Sequence, residues 1–207
     1  FNMNKQELLN SLREKGFSGK IVEAFSKVKR EDFVPQNIKS MAYKDTALPI
    51  GHGQTISQPY TIAVMLSLMG LRKGQRVLEI GSGCGYVLAL LSEIVGKNGK
   101  VYGIEVIREL AEKSKENLED FFNVKVYNRN GSHGLGEKAP FDAIIISAAL
   151  RNIPEEIMGQ LKNRGIVAAP KGSRFEQDIV AIQRKSEHEF EIKKRLPGFV
   201  FVPFVEN

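Results

Sequence analysis

Cysteine occurs once in the 207 residues, at Cys84, so no disulfide can form within the chain. That usage suits a reducing cytoplasm, and a cytoplasmic location is expected. No apolar run approaches the ~18 residues needed to cross a bilayer, so no membrane association is expected. Residues 4–15 are polar and charged, unlike the apolar core of a secretory leader. Phe1 and Asn2 precede Met3 and are set aside. Internal repeats, low-complexity tracts and long linkers are missing too, and no metal site is expected. Charge of one sign is modest: 30 Lys and Arg stand against 24 Asp and Glu, a net charge of +6. The two signs alternate, as along Arg108, Glu109, Leu110, Ala111, Glu112 and Lys113. A solvated surface explains this better than a phosphate-binding stripe, so no nucleic-acid partner is expected.

What is present is the grammar of one α/β domain, 42% hydrophobic and 26% charged. Leu8, Leu9 and Leu12 recur at helical spacing until Gly16, and Ile21, Val22, Phe25 and Val28 repeat the pattern until Pro35. Residues 43–59 read as irregular, punctuated by Pro49, Gly51, Gly53 and Pro59, and residues 60–69 as an apolar helix. From Arg76 onward strands and helices alternate. Strands are expected at 77–80, 101–105, 124–127, 141–147 and 165–169, with helices at 86–95, 107–121 and 155–161. Segments 177–184 and 190–194 read as a terminal antiparallel pair. The expected fold is a Rossmann-like doubly wound, mostly parallel sheet with helices on both faces and antiparallel C-terminal edge strands. Residues 3–75 would form an N-terminal helical cap and substrate loop, and 76–207 the core of a single domain.

The chemistry concentrates where the first core strand enters its helix, at Glu79, Ile80, Gly81, Ser82, Gly83, Cys84, Gly85 and Tyr86. Glycine permits a sharp turn and a close ligand approach, and the helix N-terminus favours a negative or strongly polar group. A dinucleotide fingerprint would need a third glycine at 86, where Tyr86 stands, so a pyrophosphate cradle fits poorly. Glu105 ends the second core strand about 20 residues after Gly85, where an acid can accept both ribose hydroxyls. An adenosyl ligand without a diphosphate satisfies both observations.

The run from Val77 to Tyr86 resembles the first motif of class I S-adenosylmethionine-dependent methyltransferases. The segment Ala42–Pro59, most specifically Thr55, Ile56, Ser57, Gln58 and Pro59, resembles the signature of protein-L-isoaspartate O-methyltransferases. Residues 139–144 and the closing Phe201, Val202, Pro203 and Phe204 fit the same family, and the likeness runs from about residue 5 to 205. It implies transfer of a methyl group from S-adenosyl-L-methionine to the free carboxylate of L-isoaspartyl residues in damaged proteins. S-adenosyl-L-homocysteine is released, and the methyl ester passes through a succinimide to aspartate. It also implies that Gly81, Ser82, Gly83 and Gly85 face the methionine portion, Glu105 the ribose, and Asn130 and Gly131 the adenine, with Glu79, Tyr86 and Val106 among the cofactor-binding residues. Ile56 and Gln58 would line the cofactor pocket, and Gln177 would approach from the edge strand. Ser57 matches the family's active-site serine, with Thr55, Val202 and Pro203 beside the substrate. A monomer is expected.

An isoaspartyl carboxylate, with a pKa near 4, is already ionised at neutral pH, so Ser57 would aim it rather than attack anything covalently. A serine capping the helix that begins near Pro59 is the structural alternative. His52 stays outside the catalytic set as a solvated loop histidine. The family usually carries Asp-Gly where this chain has Asn130 and Gly131; a neutral amide can still accept a hydrogen bond. Asn-Gly is also prone to deamidation, and ageing of Asn130 is expected. Two other readings stay open: a class I methyltransferase for a nucleic-acid or small-molecule acceptor, and a binding module that holds the cofactor without turnover. Ser147, Ala148, Ala149 and Leu150 stand where base-directed amine methyltransferases place Asn/Asp-Pro-Pro-aromatic. Cys84 lies in the glycine loop, away from the place a cytosine C5 nucleophile would need.

Overall fold

The computed structural model describes residues 3–173 and 175–204, so Val205, the far end of the likeness, lies outside it. Helix α1 (Lys5–Glu14) starts at a capping box in which the Asn4 side chain accepts from the Glu7 N–H and the Glu7 carboxylate accepts from the Asn4 N–H. It buries Leu8, Leu9 and Leu12 against α2 (Gly19–Lys27), and 3₁₀ turns at Arg30–Phe33 and Gln36–Met41 follow.

The segment expected to be irregular contains an antiparallel hairpin, β1 (Leu48–Gly51) with β2 (Gln54–Ile56). His52 and Gly53 both adopt positive φ, 53° and 70°, which a two-residue hairpin turn requires. The glycines that read as loop punctuation thus supply a turn. Helix α3 (Pro59–Leu68) carries Pro59 in its first turn, where no N–H is needed, and is buried nearly all round.

The core alternates as expected: β3 (Arg76–Ile80), α4 (Tyr86–Val95), β4 (Lys100–Glu105), α5 (Arg108–Asn117), β5 (Val124–Asn128) and β6 (Phe141–Ile146). Then come α6 (Glu155–Gly159), β7 (Leu161–Gly172), β8 (Gln177–Arg184) and β9 (Phe190–Phe199). Three elements differ from expectation by three residues or more at an end. Helix α5 stops at Asn117 instead of 121: Leu118 turns out of the helix to bury itself, while Phe122 is 96% exposed. Strand β7 takes over the end of the helix expected at 155–161, because Leu161 pairs with Phe141 ahead of a register shift. Strand β9 continues past Pro197, which an edge strand tolerates since its outer N–H positions need no partner.

The seven-stranded sheet runs β5-β4-β3-β6-β7-β8-β9, parallel from β5 to β7 and antiparallel across β7/β8 and β8/β9. Its central strands β3 and β6 and the middle of β7 are apolar because both faces are covered, whereas the edge strand β9 is exposed along most of its length. Val77, Ala143, Ile145 and Ala168 face the layer holding α1–α4, whereas Leu78, Ile80, Ile144, Ile146 and Val167 face the layer holding α6. The order reverses between β3 and β6, and a crevice opens there at the strands' carboxyl ends.

Candidate functional site

A cleft occupies that switch point, lined by the turn after β3, the end of β4, the β1/β2 hairpin and the C-terminal segment. One wall is the turn after β3. Gly81 and Gly83 adopt positive φ, 80° and 51°, and the N–H groups of Gly81 and Ser82 donate to the Ile104 carbonyl at 2.8 and 3.0 Å. Gly85, at φ 88°, forms the N-cap of α4, but it serves helix packing: a Cβ there would lie 2.5 Å from Ser114 Oγ and 2.7 Å from Leu118 Cδ1.

Glu105, 5% exposed, closes the second wall. Its Oε2 accepts from the Gly83 N–H at 2.7 Å and its Oε1 from the Ile107 N–H at 2.9 Å. One carboxylate thus holds the glycine turn to the end of β4, and its remaining lone pairs border the cleft.

Glu79 lies at the floor, where β3 meets β6. Ser147 Oγ donates to its Oε1 at 2.7 Å, while Oε2 has no hydrogen-bond partner among the described residues. Burial, with Glu105 nearby, pushes the Glu79 carboxyl up to about 8, only partly offset by the Ser147 hydrogen bond. Its neutral form is thereby favoured near neutral pH, and a cation entering the cleft would favour the ionised form. Ser82 Oγ is a second buried polar atom in the wall without a partner among the described residues. Burial pushes the Cys84 thiol up to about 11, which leaves it no nucleophile at neutral pH.

The hairpin and the C-terminal segment form the roof. Ile50, Thr55, Ile56, Ser57, Val202 and Pro203 face the glycine turn across the cleft. Ser57 also lines a second groove, with Thr55, Gln58 and Val202, running along the end of β9. Two open spaces therefore meet at Thr55, Ser57 and Val202. Ser57 is not the cap of α3; Gln58 occupies that position, without a side-chain capping bond. His52 sits exposed in the hairpin turn.

Of the residues singled out in the sequence, Thr55, Ile56, Ser57, Glu79, Gly81, Ser82, Gly83, Tyr86, Glu105, Val106, Gly131, Val202 and Pro203 share the main cleft. Gln58 borders only the second groove. Asn130 precedes Gly131 in the chain and is not among the residues lining the cleft; its Oδ1 accepts from the Ser132 N–H and Oγ. Gln177 lines neither space: it is 1% exposed, and its side chain accepts from the Phe201 N–H at 2.7 Å and donates to the Ser173 carbonyl. It fastens the C-terminal segment to the sheet. Neither Ser147 nor Ile50 was assigned to the site from the sequence, yet both line the cleft. Ser147 follows β6 at the switch point, a position the strand pattern alone marks as a ligand site.

The family model for protein-L-isoaspartate(D-aspartate) O-methyltransferase matches residues 3–207. The chain is 42% identical over 205 residues to a protein-L-isoaspartate O-methyltransferase of Methanothrix thermoacetophila, covering 98% of this chain and 95% of that one. It is 43% identical over 207 residues to protein-L-isoaspartate O-methyltransferase 2 of Archaeoglobus fulgidus, covering 98% and 93%. A solved protein-L-isoaspartate O-methyltransferase superposes with a TM-score of 0.89 at 31% identity, over 99% of this chain and 67% of that one. A putative Plasmodium falciparum counterpart in complex with S-adenosyl-L-homocysteine gives 0.86 at 26% identity, over 99% and 100%. With a cleft built from the glycine turn, Glu105 and the Thr55–Ser57 hairpin, and with relatives aligned over nearly its whole length, the chain belongs to the protein-L-isoaspartate(D-aspartate) O-methyltransferase family.

Proposed function

We propose that the chain methylates the free carboxylate of L-isoaspartyl residues in damaged proteins, using S-adenosyl-L-methionine and leaving S-adenosyl-L-homocysteine. The methyl ester then closes to a succinimide that hydrolyses in part to aspartate. The observation that carries this reading is the meeting of two spaces at Ser57: the cleft bounded by the glycine turn and Glu105, suited to the cofactor, and the groove along the end of β9, suited to a polypeptide.

The cleft suits this cofactor. Gly83 leaves the wall thin, since a Cβ there would stand 3.1 Å from Ile50 Cδ1. Glu105 offers acceptors for ribose hydroxyls, and Glu79 and Ser82 bring buried polar atoms to the methionine end. When bound, the cofactor supplies an electrophilic methyl group on a sulfonium. The chain's own part is to orient and exclude water. Ser57 Oγ hydrogen-bonds the incoming carboxylate and aims one oxygen into the cleft, while Thr55, Val202 and Pro203 wall it off. Because the carboxylate is already ionised, no general base is required. Placing two reactants in line is worth on the order of 7–11 kcal/mol, enough to carry most of the catalysis.

The same reading takes the chain as one functional unit, monomeric, without a nucleic-acid partner and cytoplasmic. No helix among the described residues is long and apolar enough to cross a membrane. Methyl transfer to an isoaspartyl peptide, with its aspartyl isomer as control, tests the assignment. Transfer to neither, despite tight cofactor binding, overturns it.

A further inference from the structure

The turn after β5 contains Asn130 followed by Gly131, and its geometry favours chemistry between those two residues. Asn130 Oδ1 accepts two hydrogen bonds, from the Ser132 N–H and the Ser132 Oγ, each 2.8 Å long. If the Gly131 nitrogen attacks the Asn130 side-chain carbonyl carbon, negative charge develops on that same Oδ1. Two donors are then already aimed at the developing oxyanion, the arrangement that lowers barriers for acyl transfer. Glycine is also imposed at 131: a Cβ there would lie 2.4 Å from Ile80 Cγ2, so no bulkier residue can shield the attacking nitrogen.

We propose that Asn130 and Gly131 form a self-modification site, at which the folded chain converts Asn130 to aspartate and isoaspartate. In the first step the Gly131 N–Cγ bond forms and the Cγ–Nδ2 bond breaks. The Gly131 proton leaves with the amide nitrogen as ammonia, giving a succinimide. Water then opens the ring at one carbonyl or the other, so one water enters and one ammonia departs overall. No oxidant or co-reactant beyond water is consumed.

The two products differ in consequence. Aspartate keeps the backbone path and can accept the same two donors. Isoaspartate routes the backbone through Cβ and adds one atom before Gly131. The turn has little slack to absorb it. On one side the Arg129 N–H is bonded to the Glu105 carbonyl at 3.1 Å. On the other, the Gln160 side chain holds the Leu135 N–H at 2.8 Å and the His133 carbonyl at 2.7 Å. The extra atom displaces Gly131, which lines the cleft. The covalent step does not depend on the functional reading; its effect on cofactor affinity does.

The chain carries its own comparison. Asn98 also precedes glycine, but the Gly99 N–H donates to the Gly96 carbonyl at 2.8 Å, which holds the attacking nitrogen in a turn. The test is incubation of the full folded chain in mildly alkaline buffer, followed by tryptic mapping with fragmentation that separates aspartate from isoaspartate. Cleavage after Arg129 isolates residues 130–138. Conversion at Asn130 ahead of Asn98 is expected. Ser132→Ala, which removes one donor, should slow it roughly threefold to tenfold, the rate equivalent of one neutral hydrogen bond. Conversion of Asn98 while Asn130 stays intact, or an unchanged rate in Ser132→Ala, overturns the proposal. Calorimetry on the separated isoaspartyl form, expected to bind S-adenosyl-L-methionine more weakly, reads the cleft effect independently.

Discussion

The guanidinium of Arg30 stands 5.0 Å from the ring centroid of Tyr86, and both side chains are almost wholly buried. Arg30 belongs to the turn after α2 and Tyr86 to the first turn of α4, so the pair joins the N-terminal helices to the cofactor loop. Arg30 Nε also donates to the Ala42 carbonyl at 2.8 Å and Nη2 to the Thr46 carbonyl at 3.3 Å. Burial lowers its pKa from the usual arginine range; backbone dipoles and the Tyr86 π face compensate the charge.

Replacing Arg30 by Met removes those donors and strands two carbonyls. The expected loss is roughly 2–4 kcal/mol of stability, read as a lower denaturation midpoint. Looser anchoring of residues 42–46 should also raise KM for an isoaspartyl peptide more than for the cofactor. A variant as stable as the parent would remove Arg30 from the framework.

Glu79 predicts a pH dependence with a defined sign. Its pKa is raised to about 8 in the fold, above the ordinary 4.5 of the unfolded chain. Between those values the native state binds more protons than the unfolded one, so this group's contribution to stability falls as pH rises from about 4.5 to 8. Glu79→Gln should flatten that decline and be relatively more stable at alkaline pH. Denaturation curves across this range decide it; parallel curves for both proteins contradict it.

The same carboxyl ties cofactor binding to proton release. A sulfonium in the cleft favours the ionised form, whereas S-adenosyl-L-homocysteine carries no such charge. Calorimetry near pH 7 in buffers of different ionisation enthalpy should show proton release for the former and less for the latter. Glu79→Gln should abolish the difference.

Glu105→Ala frees the N–H groups of Gly83 and Ile107 and removes the acceptor facing the cleft. Hydrogen bonds to charged groups contribute about 1.5–3 kcal/mol, so cofactor affinity should fall roughly tenfold to a hundredfold. Equal affinity in equilibrium titration would leave Glu105 with no part in binding.

Ser57→Ala should leave cofactor affinity nearly intact and cut methyl transfer by about tenfold or more, the worth of one hydrogen bond to a carboxylate. Single-turnover rates with saturating cofactor separate the two effects. An unchanged rate removes Ser57 from the mechanism.

The core was legible in the sequence because its strands are near-continuous apolar runs and its helices begin at recognisable signals. Helix α4 occupies residues 86–95 as read, since Gly85 before it and Gly96 after it mark both ends. The hairpin of β1 and β2 was not legible. Its strands of 4 and 3 residues are too short for a period, and its turn needs positive φ at His52, which no pattern announces. The candidate site divides the same way. The glycine turn and Glu105 are spaced along one β-α-β unit, so local sequence brings them together. Ser57, Val202 and Ser147 come from three distant segments, and only packing makes them neighbours.

Gln177 and Asn130 mark the limit. Resemblance assigned them to the cofactor, yet the fold gives the Gln177 amide to Phe201 and Ser173 and puts Gly131, not Asn130, at the cleft wall. Local periodicity and turn chemistry therefore determined the parallel core and its cofactor loop, because those depend on contacts between near neighbours. Tertiary structure alone decided the roof over the cleft, the raised pKa of Glu79 and the setting of Asn130. Each of these depends on burial and on partners remote along the chain.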